Sequence, residues 1–442
     1  MVKIKPFRGI FYNPEKIGNF SEVVMPPFDV ITKEEQDQAY ARHPNNIIRL
    51  ILGKKSETDT EHDNPHIRAS TFFREWLRTD IFRQDHRTAV YLTADEFSHE
   101  SRRVTRTGFI AAVGIEPFEK GIVVPHEHTF SKVKSERLEL MKACHANFSP
   151  IFAMYSDREN EIMGLMKQST GDRQPDITFV DRSGQRHALW RIDDATIHRN
   201  IERKISNKRI FIADGHHRYE TAMNYRNWLT RNNPDFSAEH PANYVMMYLT
   251  SMEDPGLVIL PAHRMLRYVS ETDRKKFFEK AEYYFTVTPI PFSLNTRDRA
   301  QTEFIAALKS NASEKTIGLF MKETDTFYLL RLKTDAMIRN PLVEIPVSLR
   351  NLDVTVLTRL VLMDLLGFDQ AKLDDETRIG YTSDENDAIE AVADGKFDLA
   401  FLLNPTRIEQ VRKIAEAGEI MPRKATYFYP KVIAGLVINS LR

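Results

Sequence analysis

The segment Ile212-Ala213-Asp214-Gly215-His216-His217-Arg218 concentrates chemistry in a few residues. An apolar run ends in an aspartate and a glycine, then two imidazoles and a guanidinium follow. If a strand feeds a helix here, the backbone N–H groups of the first helical turn lack intrahelical partners and suit an anion. Gly215 permits a positive φ or close approach of a ligand to the backbone. Arg218 can grip a phosphate in bidentate fashion, and His216 and His217 exchange protons near neutral pH. Together they predict a phosphate or carboxylate site. Each residue also has a structural role open to it: Asp214 as a helix cap, Gly215 as a turn, Arg218 as an ion-pair partner.

A second concentration is Pro125-His126-Glu127-His128-Thr129, followed by Lys132, Lys134, Glu136 and Arg137. Glu127 is a candidate general base or metal ligand, with His126 or His128 orienting it. The histidines stand two apart, which on a helix would not share a face, so the helical His-Glu-x-x-His zinc pattern is excluded. Asp29, Asn46 and Arg49 are candidate substrate contacts, as are Arg423 and Lys424, which border the aromatic run Thr426-Tyr427-Phe428-Tyr429. Each of these also reads as an ordinary turn, surface or terminal-strand residue.

These residues need a scaffold. Arg209 to Ala213 reads as a buried strand, and a helix is expected from about His217 to Leu229. Glu136 to Ala146 has helical spacing, and Pro150 to Tyr155 reads as a strand. Ile177 to Val180 and His187 to Ile192 flank Asp181-Arg182-Ser183-Gly184, a hairpin signature. Tyr244 to Thr250 and Leu257 to Leu260 read as neighbouring strands joined at Glu253-Asp254-Pro255-Gly256. Thr32 with Glu35 has capping-box spacing. Later come paired strands at Thr316 to Phe320 and Phe327 to Leu332, a helix over Val354 to Leu365, and a strand at Phe397 to Leu403. The expected class is mixed α/β with several subdomains and a mixed sheet. The segments are 1–265 with the site, 266–345 as a smaller α/β unit, and 346–442 as an α/β region able to pack back on the first.

Composition limits the partners. The chain has 442 residues, enough for about two or three domains. Lys plus Arg equals Asp plus Glu at 62 each, which gives no long-range pull toward nucleic acid or an anionic membrane. The single cysteine, Cys144, can close no intrachain disulfide. No apolar run reaches the roughly 18 residues of a membrane span, nor does one of signal-peptide length follow Met1 to Arg8, so a cytoplasmic location is expected.

Ordered blocks along the chain resemble the DUF1015 family. They are Lys5-Pro6-Phe7-Arg8, Pro26-Pro27-Phe28-Asp29-Val30-Ile31, Asn46-Ile47-Ile48-Arg49-Leu50, and His126-Glu127-His128-Thr129 with Glu136-Arg137-Leu138. The others are Ile212 to Arg218 with Ala222, and Met421 to Lys431. Locally, Asp214 to Arg218 resembles the nucleotide-binding turn of the ParB and sulfiredoxin superfamily, which includes free-serine kinases. That resemblance implies a nucleotide at Asp214, Gly215, His216, His217 and Arg218, with ATP or ADP and Mg²⁺ as cofactors. It implies phosphoryl transfer to serine or another small hydroxyl metabolite. Only Asp214 to Arg218 carries over by position; the catalytic part that a glutamate plays in the kinases is assigned to Glu127 on its chemistry alone, with His126 and His216 beside it and Asp214 and Glu127 toward the metal. Sulfiredoxin chemistry is not expected, because no cysteine stands in the turn. Two alternatives stay open: a metal-dependent phosphate-ester hydrolase using His126, Glu127, His128, Asp214, His216 and His217, and a non-enzymatic nucleotide or metabolite sensor. A homo-oligomer is compatible with either.

Overall fold

The computed structural model describes residues 1–127, 131–338 and 342–442, except the side chains of 131–133 and 337–338. His128 and Thr129, and the side chain of Lys132, therefore lie outside the described residues. The chain forms two units, Met1–Val258 with Pro430–Arg442, and Ile259–Tyr429. Both are mixed α/β. No helix among the described residues is long and apolar enough to cross a membrane.

The first unit is built on a nine-stranded mixed sheet. From one edge the strands run Val123–Val124, Ile210–Asp214, Ile151–Tyr155, Tyr244–Ser251, Arg102–Gly114, Val90–His99, Arg186–Ile192 and Ile177–Val180, with Ile4–Lys5 added alongside Arg102–Gly114. Ile210–Asp214 is parallel to Val123–Val124, and Tyr244–Ser251 to Ile151–Tyr155; the other pairs are antiparallel. Period-two alternation sorts the strands' residues onto two faces. One face is apolar: Ile212, Ala153, Met247, Leu249, Phe109 and Ala111 share a core with Met163, Ile201, Tyr219 and Tyr225 of flanking helices.

The other face carries a buried polar chain. Arg106 donates from Nε to the Tyr248 hydroxyl at 3.1 Å, from Nη2 to Asp95 at 3.2 Å, and from Nη1 to the Pro430 carbonyl at 2.6 Å. His187 lies between Asp95 at 2.8 Å and Asp181 at 3.1 Å. Pairing sets this order, because Arg106 stands opposite Asp95 and Asp95 opposite His187 in register. Gly108 makes room for the Tyr248 ring, whose atoms lie 2.4 Å from where a Cβ would sit.

The predicted hairpin forms between Ile177–Val180 and Arg186–Ile192. The Thr32–Glu35 capping box is present in both directions. Strand Tyr244–Ser251 does not pair with Val258–Leu260 as expected; its neighbours are Arg102–Gly114 and Ile151–Tyr155. The turn is held elsewhere: Asp254 accepts from the Thr107 amide, and Gly256 lies against the Thr105 and Arg106 backbone, where a Cβ would meet the Thr105 carbonyl at 2.3 Å.

A four-stranded sheet, Phe82–Gln84, Gly9–Tyr12, Ile438–Ser440 and Ala146–Asn147, builds residues from both ends of the chain into the first unit. The second unit holds a six-stranded antiparallel sheet in the order Phe285–Pro291, Thr326–Leu332, Thr316–Met321, Leu399–Leu402, His263–Leu266, Ile379–Thr382. Strands from 266–345 and from 346–429 thus share one sheet and one core around Phe304, Phe327, Ile389 and Leu402. Cys144 is buried, and burial pushes its thiol up to about 12.

Burial would lower the His187 pKa, but the bonds to Asp181 and Asp95 outweigh it and raise it from 6.5 to about 9. A raised folded-state value adds stability that is complete below about pH 6.5 and is lost as pH climbs through about 9, of order 3 kcal/mol. Denaturation midpoints should therefore fall across that window, and His187→Gln should flatten the fall. A wild-type midpoint that stays level there contradicts this account of the pairing.

Candidate functional site

Strand Ile210–Asp214 is buried through Ala213, and its register against Ile151–Tyr155 shifts between Ile212 and Asp214. Such an irregularity re-aims the residue that follows it; here Asp214 comes opposite Phe152. Gly215 then turns the chain at φ 94°, in the left-handed region, and caps the helix His216–Asn232 without a side-chain hydrogen bond. A Cβ at Gly215 would lie 2.8 Å from the Arg218 guanidinium, so both conformation and space select glycine. The helix has 17 residues, and the partial positive charge of its N-terminus falls at this turn.

The Asp214 carboxylate joins two cations. Its Oδ2 accepts from Arg218 Nη2 at 2.9 Å, and its Oδ1 from Lys431 Nζ at 3.1 Å. Arg218 and Lys431 side chains are each 11% exposed. Burial would raise the Asp214 carboxyl, but Lys431 and Arg218 outweigh it and hold it well below the usual carboxylate range. Arg218 Nη1 donates to the Pro150 carbonyl, and its buried Nε has no hydrogen-bond partner among the described residues. Both outer nitrogens of Arg218 thus brace the turn, and its predicted phosphate grip would need one of them to let go.

His216 accepts from the His126 backbone amide at its Nε2, 3.2 Å away, and the two rings meet edge to face at 4.7 Å. That bond assigns the neutral-imidazole proton to Nδ1, which lies 4.0 Å from a Glu127 oxygen. Burial, then the neighbouring His126, hold His216 well below 6.5; burial takes His126 to about 4 against an opposing hydrogen bond to the Ile212 backbone. Both imidazoles are uncharged at neutral pH. Glu127 is 29% exposed and so reaches solvent. His217 is half-buried, and its carbonyl accepts from Thr221.

The structure therefore brings Asp214, Gly215, His216, Arg218, His126 and Glu127 together. Asn46 is buried and bonded to its own surroundings, donating to the Glu22 carbonyl and accepting from the Ile48 amide. Arg49 stacks over Tyr40 and donates to its carbonyl. Asp29 is exposed in a short turn, Phe28–Val30. Arg423 and Lys424 belong to the second unit, where Arg423 pairs with Glu376 and both carbonyls accept from Arg264. Among the described residues no three His, Cys, Asp or Glu side chains converge on a metal position. Both Asp214 oxygens already face cations.

Sequence reasoning did not assign Lys431 to Asp214, since 217 residues separate them. It also passed over Arg106, Asp95 and His187, which carry no motif; an arginine opposite an aspartate in two adjacent strands is the only trace of them.

A family model described as "Protein of unknown function (DUF1015)" matches residues 4–355. No curated protein matches the chain. Among solved structures it is similar to a conserved hypothetical protein from Pyrococcus furiosus at 15% identity, with 70% of this chain and 89% of that chain covered and a TM-score of 0.31. It is similar to a free serine kinase in complex with AMP at 13% identity, 70% and 83% coverage and a TM-score of 0.30. SbnI with C-terminal truncation, from Staphylococcus aureus, is similar at 9% identity, 73% and 84% coverage and a TM-score of 0.33.

Asp214→Asn would leave Arg218 and Lys431 buried without their counterion and should cost about 3–5 kcal/mol in denaturant unfolding. Lys431→Met keeps the Arg218 pair and should cost less. An Asp214→Asn protein as stable as wild type would remove the carboxylate from its central place. His126, with its folded value near 4 against 6.5, adds an acid limb: stability present above about pH 6.5 is lost as pH falls toward about 4. His126→Asn should make that limb shallower.

Proposed function

The chain belongs to the DUF1015 family, and for this member we propose nucleotide-dependent phosphoryl transfer to a small hydroxyl metabolite, with the nucleotide phosphates at the Gly215 to Arg218 turn. The carrying observation is the helix N-terminus: 17 residues of aligned peptide dipoles end at a glycine that supplies no side-chain cap. Phosphate oxygens satisfy such N–H groups well. Arg218 and Lys431 outnumber Asp214, which adds a local positive balance beside the turn. The neutral Nδ1–H of His216 supports the same reading, as a donor that brings no competing charge.

In this mechanism the acceptor hydroxyl oxygen bonds to the terminal phosphorus as the bond from that phosphorus to the leaving diphosphate breaks. Glu127 takes the hydroxyl proton, and the nucleoside diphosphate departs with the electron pair. The Nδ1–H of His216 hydrogen-bonds a phosphoryl oxygen, and the His126 amide bound at Nε2 orients the ring. Positioning and fixed dipoles supply most of the rate in such transfers. With Asp214 committed to two cations, the residues present make a weak divalent-cation site. Nucleotide binding is therefore expected without Mg²⁺ as well as with it. Serine is the first acceptor to test.

Calorimetric titration of the full chain with ATP and ADP, with and without Mg²⁺, should show binding that Gly215→Ala weakens about tenfold or more, through strain and crowding of Arg218. Glu127→Gln should retain binding and lower phosphoryl transfer by about a hundredfold or more, the usual contribution of a general base. Absence of nucleotide binding by folded protein sinks the proposal. Binding with no turnover across hydroxyl acceptors replaces it with the sensor reading.

A further inference from the structure

A cavity of about 70 Å³ lies in the first unit beside the helices Ser131–Cys144 and His216–Asn232. Phe28, Leu140, Phe148 and Val245 give it an apolar lining, and Arg137 and Arg218 also open onto it. Two guanidiniums in a largely apolar wall are unusual, because a cation removed from water needs a counterion.

Arg137 has none among the described residues. It donates from Nη1 to the Ile51 carbonyl at 2.5 Å and stacks over the Phe28 ring at 4.3 Å. The adjacent Glu136 is paired instead with Lys55 at 2.8 Å. Asp29 acts on Arg137 only through space, and burial dominates over both carboxylates, lowering the guanidinium from its ordinary value. It remains charged, since arginine does not deprotonate in proteins. Arg218 lines the same region, but its outer nitrogens are already held by Asp214 and the Pro150 carbonyl, which leaves Arg137 as the uncountered cation there.

An anion with an apolar body answers both features. One water occupies about 10–15 Å³ on this measure, so the space admits about five to seven non-hydrogen atoms. We infer that this cavity binds a short aliphatic monocarboxylate, its carboxylate on Arg137, its alkyl chain against Leu140, Phe148 and Val245. Inorganic phosphate matches the charge and the size but has no apolar surface to bury against that lining. The carboxylate site rests on Arg137 and the apolar lining, not on the nucleotide reading of the turn, although Arg218 borders both.

Butyrate titrated into the full chain, followed by ligand-observed NMR and calorimetry, should bind with a dissociation constant of about 1 mM or tighter, within reach of six heavy atoms. Butyramide should bind at least about tenfold more weakly, because it has the shape without the charge. Arg137→Met keeps length and stacking but removes the cation, and should lower butyrate affinity about tenfold or more. Leu140→Phe should do the same by filling the space, with an unchanged or raised melting temperature, and decides the matter if Arg137→Met fails to fold. No butyrate binding, equal binding of butyramide, or phosphate binding tighter than butyrate and surviving Leu140→Phe would each overturn the inference.

Discussion

The Asp214 carboxylate holds three stretches of chain that the sequence keeps far apart. Its own strand ends there, Arg218 reaches back from the first turn of the next helix, and Lys431 arrives from the C-terminal segment. A carboxylate in this position is costly unless both oxygens are matched, and a guanidinium or ammonium left alone there would be equally costly. Each cation therefore requires the carboxylate, which both of them share. The arrangement also fixes the Gly215 turn, because the same guanidinium that pairs with Asp214 occupies the space where a Cβ would project. Electrostatics and backbone conformation at the site are one constraint.

A second buried polar chain works with the first. Arg106 donates to the Pro430 carbonyl, and the next residue, Lys431, pairs with Asp214. Two successive residues of the C-terminal segment are thereby fixed to two separate polar groups of the sheet's non-core face. Tyr248 and Phe152, edge to face at 5.2 Å, fill the interval between them, and the Arg106 guanidinium rests over both rings. Charge-paired networks of this kind specify one arrangement, since any register slip would leave charges unpaired.

The protonation pattern follows from the same burial. His187 is charged because two carboxylates flank it, whereas His126 is neutral because burial outweighs its Ile212 hydrogen bond and Asp214, and His216 because burial and the neighbouring His126 outweigh Asp214. One residue type takes opposite states within one unit according to its neighbours. Neutral imidazoles beside an uncapped helix N-terminus leave the helix dipole, Arg218 and Lys431 as the sources of positive potential around the turn. Glu127 stands at the solvent side of that arrangement.

Local features were legible wherever a few adjacent residues decide the outcome. The amino-acid order determined the capping box at Thr32 and Glu35, the hairpin around Asp181 to Gly184, the strand into Asp214, and the glycine turn into a helix, because short-range sterics and hydrogen bonding settle each of them. It also marked Asp214 to Arg218 and Glu127 as a concentration of chemistry. Pairing across long separations was not legible. That Tyr244–Ser251 lies between Arg102–Gly114 and Ile151–Tyr155, that strands on either side of residue 345 share one sheet, and that Lys431 neutralises Asp214 depend on which surfaces meet. Only the tertiary structure decides that, since a side chain's partner and its charge state are set by what excludes water around it, and residues hundreds of positions away supply that surrounding.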